Sequence, residues 1–431
     1  MSCNQPSLGR QTMEAAVGAP LPTAAVPDLS SPALFVSNAP EQVGSGDYPL
    51  DPDFPVGAWQ FGAGPYNLCE ASLISAFPNR VRVFFWHVCR FTVPSYWGLI
   101  VASTNGSTIS NLRIQVPTNA NPMTDLSAPG CCLAASHLFG TLDTPNVTNM
   151  DISNDTVIWS AAIDAGTLVS TAFTVVAAII EFDVQALGFL SIRSAVSLTG
   201  QASADFTHPT IPTPLADNQN NFGKFNVRHN RGYWEHSDIS MSLPGELDCT
   251  LQMEPPQSKE WGICDVGGPE ENYFSVLNSR AQQRKETNPD GTKKNMERPN
   301  TAAYGANLKY IGAYHNVSTT DPGFVYVGLH ARGVGHPYFG AAKVKTISPV
   351  PSISGAFRKV PALPPSNALN NRFTDLTSVF PSANPTGYIA VAPSGTGTVA
   401  ISLANGGGAT LLVNIQLKRE MLWDTGVGEP G

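Results

Sequence analysis

The sequence contains few charged residues, and this scarcity argues against several classes of protein. Asp, Glu, Lys and Arg make up 13% of the 431 residues, which is about half of the usual share. The formal net charge is −8, whereas a free nucleic-acid-binding domain is normally basic because phosphate contacts supply most of its affinity. The chain as a whole is therefore not predicted to be such a domain.

Long apolar runs and a secretory signal are also lacking. Residues 165–180 carry no charge, but they number only 16 and include Ser and Thr. They are too short to span a bilayer and predict a turn followed by a buried strand. The first 30 residues have no positive region followed by an apolar one. We therefore expect no membrane span and no secretory leader.

Neither cysteine chemistry nor a nucleotide-binding loop is indicated. None of the seven cysteines forms a Cys-x-x-Cys pair, which predicts reduced, mostly buried thiols in a cytoplasmic protein. No GxxxxGK[ST] loop and no Gly-x-Ser-x-Gly elbow occur, so no cofactor site is expected. Four Asn-x-Ser/Thr sequons are interpreted as chance occurrences in a chain rich in Ser, Thr and Asn. They begin at Asn105, Asn146, Asn154 and Asn316.

Glycine and proline are abundant, and they predict an all-β fold. The 38 Gly and 36 Pro residues recur along nearly the whole chain, as expected where many turns join short strands. The clearest strand is 81–93, in which both alternating faces carry large apolar side chains, so both faces are predicted to be covered. Further strands are predicted at 33–37, 57–61, 97–103, 111–116, 156–163, 173–184 and 189–198, enough for a two-sheet sandwich.

The second half of the chain carries its own set of predicted strands. Those at 397–403 and 409–418 flank the turn sequence Asn-Gly-Gly-Gly at 405–408 and predict a hairpin. The remaining strands are predicted at 246–253, 273–277, 308–313, 324–330 and 386–392. Long polar loops are expected at 117–131, 140–155 and 279–299, and the last of these holds six of the 25 basic residues.

Composition divides the chain into three regions. Residues 1–30 have almost no large apolar side chains and predict a flexible N-terminal arm. The arm contains a single basic residue, Arg10, so it is not predicted to package nucleic acid by charge. The stretch 208–221 is rich in proline and polar residues and predicts a linker. A first β domain is therefore placed at 31–222 and a second at 223–431.

Several groups of residues carry side chains suited to catalysis, but a structural role is the preferred interpretation for each. The tetrapeptide Glu235, His236, Ser237 and Asp238 holds a base, a nucleophile and two acids. Adjacent residues of a strand point to opposite faces, so they cannot form a triad among themselves. His87 lies on an apolar strand face and is predicted to be a satisfied core or interface histidine. The chain is therefore not predicted to be an enzyme.

Binding residues are indicated only weakly. His330 and His336 lack a third ligand at a clear spacing. Three acidic residues lie close together in the sequence: Asp47, Asp51 and Asp53. They could share a calcium ion between copies of the chain, but a solvated loop is the preferred interpretation. A small basic patch with interleaved aromatic residues could hold single-stranded nucleic acid, although a contact between subunits fits it equally well. The patch contains Lys224, Phe225, Arg228, Arg231, Tyr233 and Trp234.

The architecture resembles that of the capsid proteins of small positive-strand RNA viruses of the picorna-like and calici-like kind. The resemblance rests on the architecture and composition of the whole chain and on three stretches, YPLDPDFP (48–55), VRVFFWHVCRFTVPSYWGLIVAST (81–104) and FTVVAAIIEFDV (173–184). It implies a jelly-roll shell domain at 31–222, followed by a protruding domain or a second jelly roll at 223–431.

The resemblance also implies a function and a set of partners. The chain is expected to assemble with copies of itself, and with other capsid subunits, into an icosahedral virion around an RNA genome that it contacts little. Loops of the second domain would attach to a host-cell receptor, and assembly would take place in the host cytoplasm. The excess of Arg (15) over Lys (10) suits extensive subunit interfaces. The alternative is a receptor- or carbohydrate-binding β protein of the fibre or lectin type.

Overall fold

The computed structural model describes most of the strands and the turns closest to them. The described residues are 25–38, 42–43, 66–73, 80–89, 91, 93–103, 106–116, 127–138, 147–152, 155–164, 168–169, 172–186, 190–198, 231–234, 236–248, 257–262, 284–287, 293–296, 304–316, 319–320, 323–332, 338–346, 353–360, 374–375, 389–408 and 410–418.

The elements in this part of the chain are almost all strands, as the abundance of turn-forming residues predicts. In chain order they are β1 (Ala25–Pro27), β2 (Ala33–Ser37), β3 (Gln42–Val43), β4 (Tyr66–Leu73), β5 (Arg80–Cys89), β6 (Ser95–Ser103), β7 (Ser107–Gln115), α1 (Ser127–Leu138), β8 (Val147–Ile152), β9 (Thr156–Ile163), β10 (Leu168–Val169), β11 (Ala172–Ala186), β12 (Leu190–Ser197), β13 (Arg231–Trp234), β14 (Asp238–Asp248), β15 (Gln257–Gly262), β16 (Arg284–Thr287), β17 (Lys293–Met296), β18 (Asn307–His315), β19 (Gly323–Arg332), β20 (Tyr338–Thr346), β21 (Ile353–Val360), β22 (Thr374–Asp375), β23 (Ile389–Val391), β24 (Thr396–Gly408) and β25 (Thr410–Lys418).

Eight strands of the first half form a jelly roll. The first of them pairs with the eighth (β4 with β12), the second with the seventh (β5 with β11), the third with the sixth (β6 with β9) and the fourth with the fifth (β7 with β8), all antiparallel. These nested pairs are a long hairpin rolled up on itself, which is the jelly-roll arrangement. The predicted all-β fold with a jelly-roll sandwich is therefore confirmed.

Two further pairings close the eight strands into a sandwich. Pairing of β12 with β6 gives sheet I, in the order β4-β12-β6-β9, and pairing of β11 with β7 gives the core of sheet II, in the order β5-β11-β7-β8. Alternate residues of each strand point into the space between the sheets. Aromatic rings fill its centre: the Phe85 ring meets those of Trp97 and Trp159 edge to face, with centroids 6.3 Å and 5.0 Å apart.

Strands that precede and follow the jelly roll in the sequence extend sheet II. Strand β2 pairs in parallel with β5, and β13, β16 and β17 follow in turn on its other side. Strands β16 and β17 pair with each other, so the stretch at 279–299 that was predicted to be a loop contains two strands. They flank the Asn-Pro-Asp-Gly sequence at 288–291.

The remaining strands of the second half form two more sheets. Sheet III has the order β1-β14-β18-β24-β20-β21, and sheet IV has the order β15-β25-β19-β22 with β23 also paired to β19. Residues 25–30 of the predicted arm form β1 and a turn, and β1 pairs with β14. The boundary at 222/223 stays a prediction, and the described strand pairing crosses it, because β13 joins β2 in sheet II.

Helix α1 was not predicted, and it begins within a segment expected to be a loop. Its sequence contains Pro129 and Gly130, which are poor helix formers, but a proline in the first turn loses no helical hydrogen bond. Most of its side chains are buried, from Cys131 to His137, so the sequence lacks the one-sided apolar period that marks a surface helix. No helix in the described ranges is long and apolar enough to cross a membrane.

Two further expectations are wrong. The predicted hairpin at 397–418 does not form, because β24 pairs with β18 and β20 in sheet III whereas β25 pairs with β15 and β19 in sheet IV. The glycines at 406–408 continue strand β24, since tertiary pairing with β20 outweighs their local turn preference. In addition, Cys132 is disulfide-bonded, whereas the cysteines were expected to be reduced; Cys69, Cys89 and Cys131 are reduced and buried, as expected.

Candidate functional site

The face of sheet II that points away from sheet I is buried along most of strand β5. On β5 this face carries Phe84, Trp86 and Val88, which are at most 5% exposed. The ring of Phe84 stacks on that of Tyr304, with centroids 5.4 Å apart. Residues of the second half therefore cover sheet II, and we call this contact region the junction: Arg82, Phe84, His137, Glu181, Asp238, Tyr304 and Gly305.

A glycine permits the closest approach at the junction. Gly305 has a φ of 69°, in the left-handed region that side chains rarely adopt. A Cβ atom at this position would lie 2.8 Å from both Leu34 Cδ1 and Phe84 Cβ. Only glycine fits here without displacing β2 or β5, so the turn at 304–306 lies directly against sheet II.

Arg82 is the central charged residue of the junction. Its Nε donates to Glu181 Oε1 at 2.7 Å, and one terminal nitrogen donates to Asp238 Oδ1 at 2.8 Å and to the Gly305 carbonyl at 3.2 Å. Burial alone would lower the pKa of Arg82, but Asp238 and Glu181 outweigh it and raise the pKa above its ordinary value. One guanidinium thereby connects β5, β11, β14 and the 304–306 turn.

Glu181 receives a second arginine. Arg80 donates to Glu181 Oε2 at 2.7 Å, so each carboxylate oxygen has its own guanidinium partner. The Arg80 side chain is 43% exposed, whereas those of Arg82 and Glu181 are about 5% exposed. A buried charge is costly without a partner. The Arg82–Glu181 ion pair therefore depends more strongly on correct packing of the junction than the Arg80–Glu181 pair does.

The N-terminal segment is tied to the same place by hydrogen bonds. The Ser31 hydroxyl donates to the Asp28 carbonyl at 2.6 Å and accepts from the amides of Ser237 and Asp238, both at 3.2 Å. Asp28 Oδ1 accepts from the amide and the hydroxyl of Ser30, and these bonds lower the pKa of Asp28. The turn after β1 therefore holds the start of β14 beside Arg82.

This geometry gives the tetrapeptide at 235–238 a structural role. Ser237 is fully buried and donates its hydroxyl to Asp238 Oδ1 at 3.0 Å, while Asp238 is bound to Arg82. Asp238 thus pairs with Arg82 and not with a histidine, and Ser237 has no access to solvent. Glu235 lies outside the described residues.

A serine–histidine pair does occur, but it lies in the sandwich core. His87 Nε2 is 2.8 Å from Ser37 Oγ, which is 2.7 Å from Ser194 Oγ, and all three side chains are fully buried. The imidazole also stacks on Trp97, with centroids 5.7 Å apart. This agrees with the prediction of a satisfied core histidine. The pair resembles a nucleophile and its base in geometry alone, because no substrate can reach it.

The other predicted binding residues fall into two groups. Tyr233 and Trp234 are buried in strand β13, so the suggestion that they stack on nucleic acid bases is wrong. Arg231 and His330 belong to β13 and β19. The remainder lie outside the described residues: Asp47, Asp51, Asp53, Lys224, Phe225, Arg228 and His336. Within the described ranges, no three His, Cys, Asp or Glu side chains are grouped as metal ligands would be.

One of the four sequons can be assessed. Asn316 is fully buried, and its amide donates to the carbonyls of Val391 and Ala392 at 3.4 Å and 3.1 Å. A side chain held in this way is inaccessible for glycan attachment in the folded protein, which agrees with the interpretation of this sequon as a chance occurrence. The other three asparagines, Asn105, Asn146 and Asn154, lie outside the described residues.

The junction residues were not singled out from the sequence as a site. Arg82 and Glu181 each interrupt an apolar run at a position that alternation assigns to the face opposite the sandwich core, and this was the available signal. Glu181 lies on that face, but it is 5% exposed because the second half covers it. His137 carried no signal, since its helix was not predicted.

Comparisons with known proteins do not assign a family. No family model matches the chain, and no curated protein matches it. Solved structures with some similarity include the insecticidal delta-endotoxin Cry8Ea1 from Bacillus thuringiensis, at 10% identity and a TM-score of 0.20. That alignment covers 74% of this chain and 53% of the toxin, so the chain spans about half the length of that structure.

Two other structures have still lower TM-scores. The tandem CBM22 domains of Xyn10C from Paenibacillus barcinonensis are 7% identical, with a TM-score of 0.14 over 84% of this chain and 100% of that one. Procruciferin, an 11S globulin from Brassica napus, is 9% identical, with a TM-score of 0.11 over 82% of this chain and 85% of that one. Since all three TM-scores are far below 0.5, the fold assignment rests on the strand pairing, and none of these similarities bears on function.

Proposed function

We propose that the chain is a structural capsid protein, not an enzyme, that assembles with copies of itself into an icosahedral virion shell around an RNA genome. The observation that carries this proposal is the complete jelly roll, with its four nested strand pairs and a further β layer on sheet II. Jelly rolls of this kind occur in viral capsids, and also in lectins and cupins.

The filling of the sandwich favours a structural role over a ligand-binding one. Trp97, Phe85 and Trp159 occupy the space between sheets I and II, where an enzyme of jelly-roll type would need a cavity. The buried Ser37–His87 pair adds hydrogen bonds to this interior and offers no reactive group to solvent. A packed, chemically closed domain suits a subunit whose surface, and not its interior, makes the functional contacts.

The partners follow from this assignment. They are copies of the chain and other capsid subunits, the enclosed RNA, and a host-cell receptor reached by loops of the second half. Few direct contacts with RNA are proposed, because the net charge is −8 and Arg10 is the only basic residue before β1. The virion, formed in the host cytoplasm, is the proposed location.

Electron microscopy of the purified full-length protein tests the proposal, with its mass in solution measured in parallel. We expect closed, uniform particles some tens of nanometres across, and RNA inside them that resists added nuclease. Closed particles without protected RNA would retain self-assembly and remove the genome-enclosing role. A monomer or trimer that persists across pH, salt and calcium concentrations would overturn the proposal and favour the carbohydrate- or receptor-binding alternative, which a glycan-binding assay on the same sample then examines.

A further inference from the structure

Helix α1 lies between the jelly roll and the second half. It connects β7 to β8, and it packs against β11 of sheet II and against β20, β21 and β24 of sheet III. The contacts with sheet III are close: Cys131 Sγ lies 3.4 Å from the Gly340 carbonyl, and Ala134 packs against Ala341 and Ala404. Any event that loosens α1 therefore loosens the contact between sheets II and III.

The last turn of α1 buries an unpaired imidazole. The His137 side chain is 4% exposed, and neither ring nitrogen has a hydrogen-bond partner among the residues that the structure describes. One acid lies close to it: Glu181 Oε1 is 3.8 Å from His137 Nδ1. Both carboxylate oxygens already accept from Arg82 and Arg80, so the acid is committed to other cations.

The groups around His137 disfavour a positive charge there. Arg82 and Arg80 on β5 oppose it, whereas Glu181 on β11 and Asp238 on β14 are already engaged by arginine. Strand β24 has no charged residue; the charged residues of β20 and β21 are all basic, namely Lys343, Lys345, Arg358 and Lys359. Burial first, and Arg82 second, lower the pKa of His137 to about 3.

We propose that His137 makes the docking of the last turn of α1 sensitive to acid, so that a fall in pH below neutrality favours a state in which this turn leaves sheet II and the imidazole reaches water. The proposal concerns the junction alone and does not rest on the assignment as a capsid protein. Because Cys132 is disulfide-bonded, the opening is placed C-terminal to it, at the turn that carries His137.

The direction of the pH effect on docking of the last turn of α1 follows from proton linkage. In the docked state the imidazole stays neutral down to its lowered pKa, whereas in the open state it binds a proton below its ordinary pKa of about 6.5. Docking is therefore at full strength above that value and weakens as the pH falls below it. For one such group the opening equilibrium constant rises about tenfold by pH 5.5 and about a hundredfold by pH 4.5, relative to pH 7.5.

Hydrogen exchange of the full-length protein at pH 7.5, 6.5, 5.5 and 4.5 measures this opening. Rates are corrected for the intrinsic pH dependence of amide exchange and followed in peptides that cover α1, with peptides from β5 as an internal reference. The test variant is His137→Gln, which keeps a polar side chain but does not titrate. The matched control is His315→Gln, a partly exposed histidine at the end of β18.

In the wild type and in His315→Gln, we expect protection of the last turn of α1 to fall about tenfold per pH unit below pH 6.5, while β5 stays protected. In His137→Gln, most of this dependence should be absent. An unchanged dependence in His137→Gln would overturn the proposal. If that variant does not fold, the wild type alone still decides: protection of α1 that is flat from pH 7.5 to 4.5, or that falls in parallel with β5, rules out a local acid-sensitive opening.

Discussion

The two faces of strand β5 differ in chemistry although both are buried. The face toward sheet I carries Phe85 and His87, and its polar atoms form hydrogen bonds within the jelly roll. The face toward the second half carries Arg82 and Phe84, and its polar atoms are ions that bind residues 99 and 156 positions away in sequence. One face thus completes a domain, and the other attaches a second layer to it.

This comparison shows how an interface within a chain can be as specific as a core. Aromatic stacking contributes on both faces, through Phe85 in the sandwich and through Phe84 against Tyr304. Of the two faces, only the one at the junction contains a buried ion pair. The attraction between its charges offsets the cost of removing them from water only if the geometry of the pair is correct. The second half is therefore held in a defined position on sheet II through a close-packed contact instead of a hinge at this place.

The largest expected effect compares the two phenylalanines. Phe84→Ala and Phe85→Ala should each lower the free energy of unfolding by about 3–5 kcal/mol, because each removes a fully buried ring and leaves a cavity. Urea unfolding of the dispersed subunit, followed by circular dichroism, measures both. A loss below about 1 kcal/mol for Phe84→Ala alone would mean that the second half is attached loosely and that only the sandwich is a true core.

A loss of similar size is expected from the buried arginine. Arg82→Met should lower the free energy of unfolding by about 3–5 kcal/mol, since it leaves Glu181 without its buried partner and removes a bond to Asp238. The matched control is Arg80→Met, which removes a half-exposed ion pair and should cost about 1 kcal/mol or less. Equal losses in the two variants would contradict the central role of Arg82.

The smallest expected effect concerns the hydrogen bonds between β2 and the face of β5 that points toward sheet I. Ser37→Ala should cost about 1–3 kcal/mol, because it removes a buried hydroxyl bonded to His87 and Ser194. Its control is Ser191→Ala on sheet I, where a partly buried hydroxyl bonds to Glu70 at 3.2 Å, and a loss of about 0.5 kcal/mol or less is expected. Thermal unfolding of the two variants side by side checks the difference.

Most of the strands could be predicted, because alternation and β-branched content are local. The predicted segments 33–37 and 156–163 coincide with β2 and β9, and 173–184 lies within β11. Among the strands of four or more residues, β4 and β8 of the jelly roll were missed, and so were six strands of the second half: β13, β15, β16, β17, β20 and β21. Strand β8 (VTNMDI) is short and polar and lies at the edge of sheet II, so little hydrophobic pattern marks it. Helix α1 was missed because burial on several sides removes the one-sided period.

Pairing partners could not be predicted, since they depend on distant residues. The Asn-Gly-Gly-Gly sequence at the end of β24 favours a hairpin with β25, yet the two strands enter different sheets because β20 and β18 pair with β24 instead. The contacts of the junction could not be predicted for the same reason. Alternation placed Arg82 and Glu181 on one face of their strands, but nothing local shows that Asp238 and Gly305 would cover that face.

The sequence by itself determined the class of the fold and the covering of both faces of β5, because composition and alternation act within a few residues. Only the tertiary structure decided that Arg82, Glu181 and Asp238 meet and that His137 is buried beside them. It also decided that sheet II contains strands from both halves of the chain. The physical reason is that burial and ion pairing depend on which segments pack together, and segments hundreds of residues apart are brought together only by folding.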